Sequence, residues 1–391
     1  MAEGAGQLSR RAWLSRRRRC AGVMSGTSLD GVDVVVAEFW QERRRRRFRL
    51  LGHHHEEFPP MLRYRLLRAQ EEPVPIGEVA RLHWELARCY ADAVHACCRS
   101  IGITPQQLDV VGVHGQTVWH EPAAAEGGVG LQLGNLPALA QWLGCPVVGD
   151  FRSADLAQGG HGAPLVPLFD YEFLRSPHEH VAAVNLGGMA NVTVLPRGCS
   201  PAQVRAWDTG PGNVWIDAAM EQFFGLRYDP EGRTARAGRL LMPLWRALQG
   251  IEFVLAPPPK STGREQFGRP HLRALLQQYV PAQVPAEDIV HTLTRFTAWS
   301  VAENLRRYAG SVECLIVSGG GACNGFLLEL LQQELPGTVV VTSQEYGIPV
   351  LAKEALCFAY LAYRRMAQET GNLPQVTGAR CAVRLGVVAL P

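Results

Sequence analysis

The feature that most restricts this chain is a unit that occurs twice. Residues 22–39 read as strand, glycine turn, strand: Ala-Gly-Val-Met, then Ser-Gly-Thr-Ser-Leu-Asp-Gly, then the β-branched run Val-Asp-Val-Val-Val-Ala-Glu-Phe. Residues 181–186, Gly187-Gly188 and residues 190–195 repeat the pattern at a similar place in a second α/β segment. Glycine has no Cβ, so the main chain of such a turn can close on an anion through its N–H groups. A third cluster, Gly319-Gly320-Gly321, lies between a strand at 313–317 and a helix at 326–335. Two hairpins and a strand–helix junction of this kind form a nucleotide cradle between two domains; the alternative is three tight turns. The residues alone leave both readings open.

The rest of the pattern alternates. Helical spacing marks 76–101, 214–224, 286–308 and 353–369; short buried strands mark 108–113, 147–149 and 338–342. Residues 208–213 read as a turn opening the helix at 214, and 256–268 as a Pro/Gly-rich loop. Strands alternating with helices predict α/β architecture with mostly parallel sheets. A chain of 391 residues suggests two domains or three and needs no disulfide staple.

Charge and cysteine usage narrow the function class. There are 39 basic and 36 acidic side chains, too balanced to favour nucleic acid or a membrane surface as the main partner. The basic side chains are almost all Arg, with Lys only at 260 and 353. The ten Cys form no C-x-x-C and several sit in apolar runs, as expected of reduced thiols in the cytoplasm. No run of about 18 apolar residues exists. Ser9 to Leu14 faintly echoes a twin-arginine signal, but Arg16 to Arg19 stand where the apolar stretch belongs. Residues 1–20 therefore read as a disordered basic extension. The run Arg43 to Arg47, followed by His53-His54-His55, reads as a solvated hairpin tip.

Several familiar sites are missing. Gly26 to Gly31 has the Walker A glycine spacing, but Val32-Asp33 replaces Lys-[Ser/Thr]. There is no G-x-G-x-x-G at a strand–helix junction, no H-E-x-x-H and no G-x-S-x-G. Other residues have a chemical case. Asp208, directly before Thr-Gly-Pro-Gly-Asn, is either a helix cap worth about 1 kcal/mol or a general base. The glycines and proline beside it leave its side chain little covered, which favours the base. Asp30 and Asp33 bracket Gly31, and Mg²⁺ prefers one or two carboxylates plus phosphate oxygens. Arg152, between Asp150 and Asp155, is a structural ion pair or a clamp on an anion. The loop Lys260 to Glu265 has few apolar residues, and long ordered loops are usually functional. His114 reads as a hydrogen-bonding site residue.

These residues resemble a known family. Val23 to Asp33, His114 to Pro122, Asp150-Phe151-Arg152, Gly159 to Pro167 and Asn185 to Gly188 resemble segments of the bacterial anhydro-N-acetylmuramic acid kinases. So do Asp208 to Asn213, Pro259 to Glu265, Gly319 to Gly321, Gly371 to Pro374 and Thr377-Gly378-Ala379, in the expected order over nearly all of 21–389. The resemblance implies a two-domain actin-like ATPase (ribonuclease H-like) fold with an interdomain ATP cleft. Expected domains are 21–146 plus 379–391, and 147–378. It implies that water opens the 1,6-anhydro bridge of the sugar while O6 takes the γ-phosphoryl group of ATP, as in peptidoglycan recycling. Asp208 would be the base. Gly26, Thr27, Ser28, Leu29, Asp30, Gly31, Val32 and Asp33 would face the ATP phosphates, with Mg²⁺ on Asp30 and Asp33. Gly187 and Gly188 would form the second phosphate turn, and Gly319, Gly320 and Gly321 would lie by the adenosine. His114, Gln116, Arg152 and His161 would hold the sugar. A homodimer is a further expectation of the family.

Two departures stand out. His161 replaces the Gln usual in Gly-Gly-Gln-Gly-Ala-Pro-Leu. Pro349-Val350-Leu351-Ala352-Lys353 replaces the usual acidic stretch before Glu354, which is kept. The departures keep two alternatives open: a kinase of another anhydrosugar or aminosugar, and a non-catalytic nucleotide sensor.

Overall fold

Each glycine hairpin starts a sheet. The computed structural model describes residues 10–26, 29–43, 45–122 and 127–391. It forms two units, Met1–Phe173 with Ala352–Pro391, and Leu174–Leu351. In the first lie β1 (Arg18–Met24), β2 (Gly31–Glu42), β3 (Arg45–Glu57), β4 (Val110–Val113), β5 (Gln116–Glu121), β6 (Val129–Leu133) and β7 (Val147–Gly149). In the second lie β8 (Val181–Leu186), β9 (Met189–Leu195), β10 (Arg205–Pro211), β11 (Cys314–Ser318) and β12 (Val339–Thr342). The chain then returns to the first unit and ends with β13 (Val387–Ala389).

The sheets share one topology. Strand order is β13-β7-β4-β1-β2-β3 in the first and β10-β9-β8-β11-β12 in the second, with β5 and β6 a separate ribbon. In both, a three-strand antiparallel ladder is followed by two parallel strands. The sheets are therefore mixed, not mostly parallel. A short glycine turn joins only antiparallel neighbours, and the long helical crossovers supply the parallel ones. β7 pairs with β4, which puts 147–149 in the first unit and moves the boundary from the expected 146/147 to 173/174.

The helices cover these sheets. They include α1 (Arg10–Leu14), α2 (Ile76–Ser100), α3 (Val214–Phe224), α4 (Ala286–Tyr308), α5 (Gly325–Glu334) and α6 (Lys353–Met366). On α2, Leu82, Leu86, Tyr90 and Val94 are fully buried, a stripe at helical spacing that packs with the apolar side chains of β1, β2 and β4. Helix α6 lies on β1 and β4 so closely that a methyl group at Gly22 would overlap the Ala355 carbonyl oxygen, and one at Gly112 the Phe358 carbonyl oxygen. This contact places α6 in the first unit and moves the second boundary from the expected 378/379 to 351/352.

The N-terminal segment differs from expectation. Residues 1–9 lie outside the described residues, but 10–20 are ordered. Trp13 on α1 is 1% exposed and its ring meets Tyr363 of α6 at 5.9 Å. Arg18 donates to the Ala12 and Trp13 carbonyls and, with Arg16, to Asp109. One buried indole and one shared carboxylate hold a segment whose composition reads as solvated.

The α6 contact sets a prediction. Gly22→Ala and Gly112→Ala should each destabilise the protein by about 3 kcal/mol, because backbone cannot yield as a side-chain tip can. Gly337→Ala, which meets open space, should change it by less than about 0.5 kcal/mol. Urea unfolding compares the three, and equal midpoints would refute the close packing.

Candidate functional site

The β1–β2 turn is held from several sides. Thr27 and Ser28 lie outside the described residues. Leu29 is 1% exposed with φ of 58°, a left-handed conformation that a branched side chain adopts only under constraint. The Leu29 amide donates to the Gly26 carbonyl at 3.2 Å, and Arg63 Nε donates to the Leu29 carbonyl at 3.1 Å. Gln116, fully buried at the start of β5, donates through Nε2 to the Gly26 carbonyl at 3.2 Å. Gly31 has no room for a Cβ against the Glu56 carbonyl of β3, and Val32 is core. Asp30 is exposed. The Asp33 carboxylate is shared: His53 Nε2 and His55 Nδ1 each lie 3.1 Å from its Oδ1. The histidine run is thus not at a hairpin tip. It sits in β3, where the register sets His55 opposite Asp33. Among the described residues no group of three or more His, Cys, Asp or Glu is arranged to hold a metal ion.

The expected sugar-holding residues form a second cluster in the same unit. Arg152 donates through Nε and Nη2 to His114 Nε2, at 3.3 and 2.8 Å, and through Nη1 to the Gly162 carbonyl at 2.8 Å. Burial, reinforced by the Arg152 charge, holds His114 well below the usual histidine range. It is neutral, accepts at Nε2, and so carries its proton on Nδ1. Burial also pulls Arg152 down to about 10, against the pull of Glu354 and Asp155, so it stays cationic at neutral pH. His161 is exposed on the Gly-rich loop. His120, on β5, is lowered by burial, then by the charges of Arg152 and His161. Glu354, in the first turn of α6, is raised by burial; Lys353 and Arg152 oppose the rise and Asp33 adds to it.

Asp155 fixes that cluster. Its fully buried carboxylate accepts from Gly162 N at 2.8 Å, Asn372 Nδ2 at 2.6 Å and Thr377 Oγ1 at 2.7 Å. The 158–163 loop is thereby tied to the 372–379 segment, and the Gly162 carbonyl is presented to Arg152. The proximity of Asp155 to Arg152 in sequence signals a site, but only the fold brings Asn372 and Thr377 to it.

In the second unit three glycine segments converge. The amides of Gly212 and Val214 donate to the Gly188 carbonyl and that of Asn213 to the Gly187 carbonyl. Asn213 Nδ2 donates to the Leu186 carbonyl at 3.0 Å. Gly319, with φ of 83°, approaches Asn185 and Leu186 too closely for a Cβ; Gly321 meets the Leu186 side chain. Gly320 lies beside Asn213, and a Cβ at Gly188 would meet open space. This glycine-lined surface suits an anion approached by main chain.

Asp208 lies in β10, not in a turn, and is mostly covered. A register shift between Asp208 and Gly210 marks a bulge beside it. Its amide donates to the Lys260 carbonyl at 3.2 Å, and its Oδ2 accepts the Thr262 amide at 2.8 Å. The expected openness fails because the 260–262 segment folds over it. The cap reading fails too, since Asn213 occupies the position before α3. Burial raises the Asp208 carboxyl; the Thr262 amide, Ser261 and Lys260 pull it down, and Glu265 pushes it up. A desolvated carboxylate of raised basicity, held by the Thr262 amide and Ser261, can take a proton from a small molecule. Lys260 and Thr262 are the partners that motif reading did not assign.

Two sheets whose strand orders share one core pattern, each opened by a glycine hairpin, define an actin-like (ribonuclease H-like) fold. Comparison with known proteins narrows the class. The profile of the family described as anhydro-N-acetylmuramic acid kinase matches residues 18–391. Two relatives of that description are 42% identical (Salinibacter ruber; 96% of this chain, 97% of the relative) and 41% identical (Synechococcus sp. strain CC9902; 95% and 100%). The chain belongs to the anhydro-N-acetylmuramic acid kinase family. Two solved structures overlay loosely. A ROK family glucokinase from Streptomyces griseus, in complex with glucose and AMPPNP, has TM-score 0.37 at 14% identity and covers 88% of this chain and 99% of its own. An activator of a 2-hydroxyisocaproyl-CoA dehydratase from Clostridium difficile, with bound ADPNP, has TM-score 0.44 at 12% identity and covers 89% and 95%.

The Asp155 hub sets the second prediction. Asp155→Ala takes the shortest acceptor from three buried donors, leaves the Gly162 amide with none, and should cost about 3 kcal/mol. Thermal melting measures it; an unchanged Tm would show that the loop is held by other contacts.

Proposed function

We propose that this ATP-dependent kinase of 1,6-anhydro-N-acetylmuramic acid opens the anhydro bridge with water in the same turnover. The observation that carries the proposal is the mostly covered, raised carboxylate of Asp208 held by the Thr262 amide. Water adds to C1, the C1–O6 bond breaks, and O6 forms its bond to the γ-phosphorus as ADP leaves. Asp208 takes the proton from the water. No acid is needed at O6, because the phosphoryl group takes the place of a proton there. The products are N-acetylmuramic acid 6-phosphate and ADP.

The remaining assignments follow the chemistry of the groups. The glycine surface of Gly187, Gly188 and Gly319 to Gly321 in the second unit suits the nucleotide; the Gly26 to Gly31 turn of the first unit suits phosphate. Arg152, cationic and oriented by the neutral His114, suits a carboxylate on the sugar, with Gln116 and His161 beside it. Mg²⁺, when bound, would offset phosphate charge; exposed Asp30 is free to approach it, while Asp33 is already engaged by His53 and His55. A cytoplasmic homodimer is part of the proposal. No helix among the described residues is long and apolar enough to cross a membrane.

Two outcomes test the reading. In ¹⁸O-water with Mg-ATP and the anhydro sugar, the phosphorylated product should carry one ¹⁸O, and Asp208→Asn should lower kcat by about 10²–10⁴-fold with ATP binding retained. Product without the label would make the chain a plain kinase. Only ionised Asp208 accepts a proton, so kcat should fall as pH drops through its pKa. Burial moves that acid limb up from the ordinary aspartate value; a limb at or below that value would contradict the assignment.

A further inference from the structure

Lysine is almost absent from this chain. Of its 39 basic side chains only Lys260 and Lys353 are not arginine. At both positions the structure gives the ammonium defined partners. Lys353 is 2% exposed and donates to Asp170 at 3.2 Å. Lys260 points its Nζ at two carbonyls, those of Phe253 and Val254, each 2.9 Å away. The Phe253 and Tyr308 rings lie 5.0 and 5.7 Å from the same nitrogen. Two acceptors converging on one atom between two rings suit a compact ammonium and not a planar fork.

This anchor belongs to a chain of contacts that ends on Asp208. Fully buried Asn304 of α4 donates to the carbonyls of Thr209, Val254 and Ser300. It thereby locks residues 253–254 to the strand that carries Asp208. Lys260 reaches that fixed segment with its side chain, accepts the Asp208 amide with its carbonyl, and is two residues from the amide that binds the Asp208 carboxylate.

We propose that Lys260 is a positioning residue for Asp208: anchored on the Phe253 and Val254 carbonyls, it fixes the segment that grips both ends of Asp208 and sets a cation within electrostatic reach of this carboxylate. The proposal rests on Asp208 as the base. Among the described residues, Glu265 acts on Asp208 and Arg307 acts on Lys260. Burial pulls Lys260 down to about 8, so its charge is lost within reach of an ordinary titration.

The test reads the Thr262 amide, which touches the Asp208 carboxylate. In protein labelled with ¹⁵N-threonine, the Thr262 resonance is assigned with Thr262→Ser and followed against pH. It should titrate with Asp208, lose that inflection in Asp208→Asn, and show a second inflection near 8 as Lys260 loses its proton. In Lys260→Met the first midpoint should rise by about half a unit or more, because the lowering charge is gone. The kcat at neutral pH should fall about tenfold with the KM for ATP unchanged. Lys260→Arg should keep the midpoint lower than Lys260→Met does. An unmoved midpoint in Lys260→Met, or no inflection near 8 in the unmodified protein, overturns the proposal; the latter decides even if Lys260→Met does not fold. Because the titration needs no turnover, it separates the two readings. Expected midpoints with full activity in Asp208→Asn would end the role of Asp208 as base and leave the grip of Lys260 standing.

Discussion

The first unit depends on a contact between two pieces of backbone. Gly22 and Gly112 lie side by side on paired strands, and helix α6 rests directly on them. Removing two side chains lets a helix approach a sheet to the distance of its own main chain. That approach fixes the rotation and height of α6, and α6 in turn carries Glu354 in its first turn, Lys353 onto Asp170 and Phe358 against the His114 ring at 4.6 Å. The buried pair of Lys353 and Asp170 gives the helix a second reference point. A buried ion pair is weak evidence for net stability, but it is intolerant of any other register.

The second unit solves the same problem with different groups. There the glycines do not admit a helix; they admit one another. Residues 187–188 and 212–214 meet through carbonyls and amides, and 319–321 lie against Leu186 and the side chains of Asn185 and Asn213. Asparagine serves because its amide both donates and accepts within a short reach. The result is a surface with main chain at its face and little side chain in front of it. Asp208 stands on the same strand that feeds this junction, so one bulged strand serves both a glycine surface and a carboxylate.

Much of this was legible in the amino-acid order. The helix at 286–308 and the paired strands around Gly187-Gly188 follow from period and turn chemistry, which act locally. The mixed sheet order could be misjudged because alternation of strands and helices says nothing of the strand on the far side of a hairpin. Trp13 and Arg18 were hidden by their setting among five further arginines: composition reports the average of a segment, and one buried ring decides its fate. The exposure of Asp208 was misjudged for a related reason. Its neighbours in sequence are small, but the segment that covers it comes from fifty residues downstream. Asp155 fell between these cases. Its type and its place near Arg152 were visible, whereas its partners Asn372 and Thr377 are more than 200 residues away.

The scarcity of lysine reaches beyond the site. Reagents that attach to amines, among them common cross-linkers, fluorophores and immobilising surfaces, find two side chains in a protein of 391 residues. One of them, Lys353, is sealed against Asp170. Burial pulls the other, Lys260, down to about 8, and its Nζ is engaged by the Phe253 and Val254 carbonyls. A molecule whose surface charge is carried by guanidinium is thus nearly silent to amine chemistry, and whatever label it accepts on a side chain reports on the packing around Asp208.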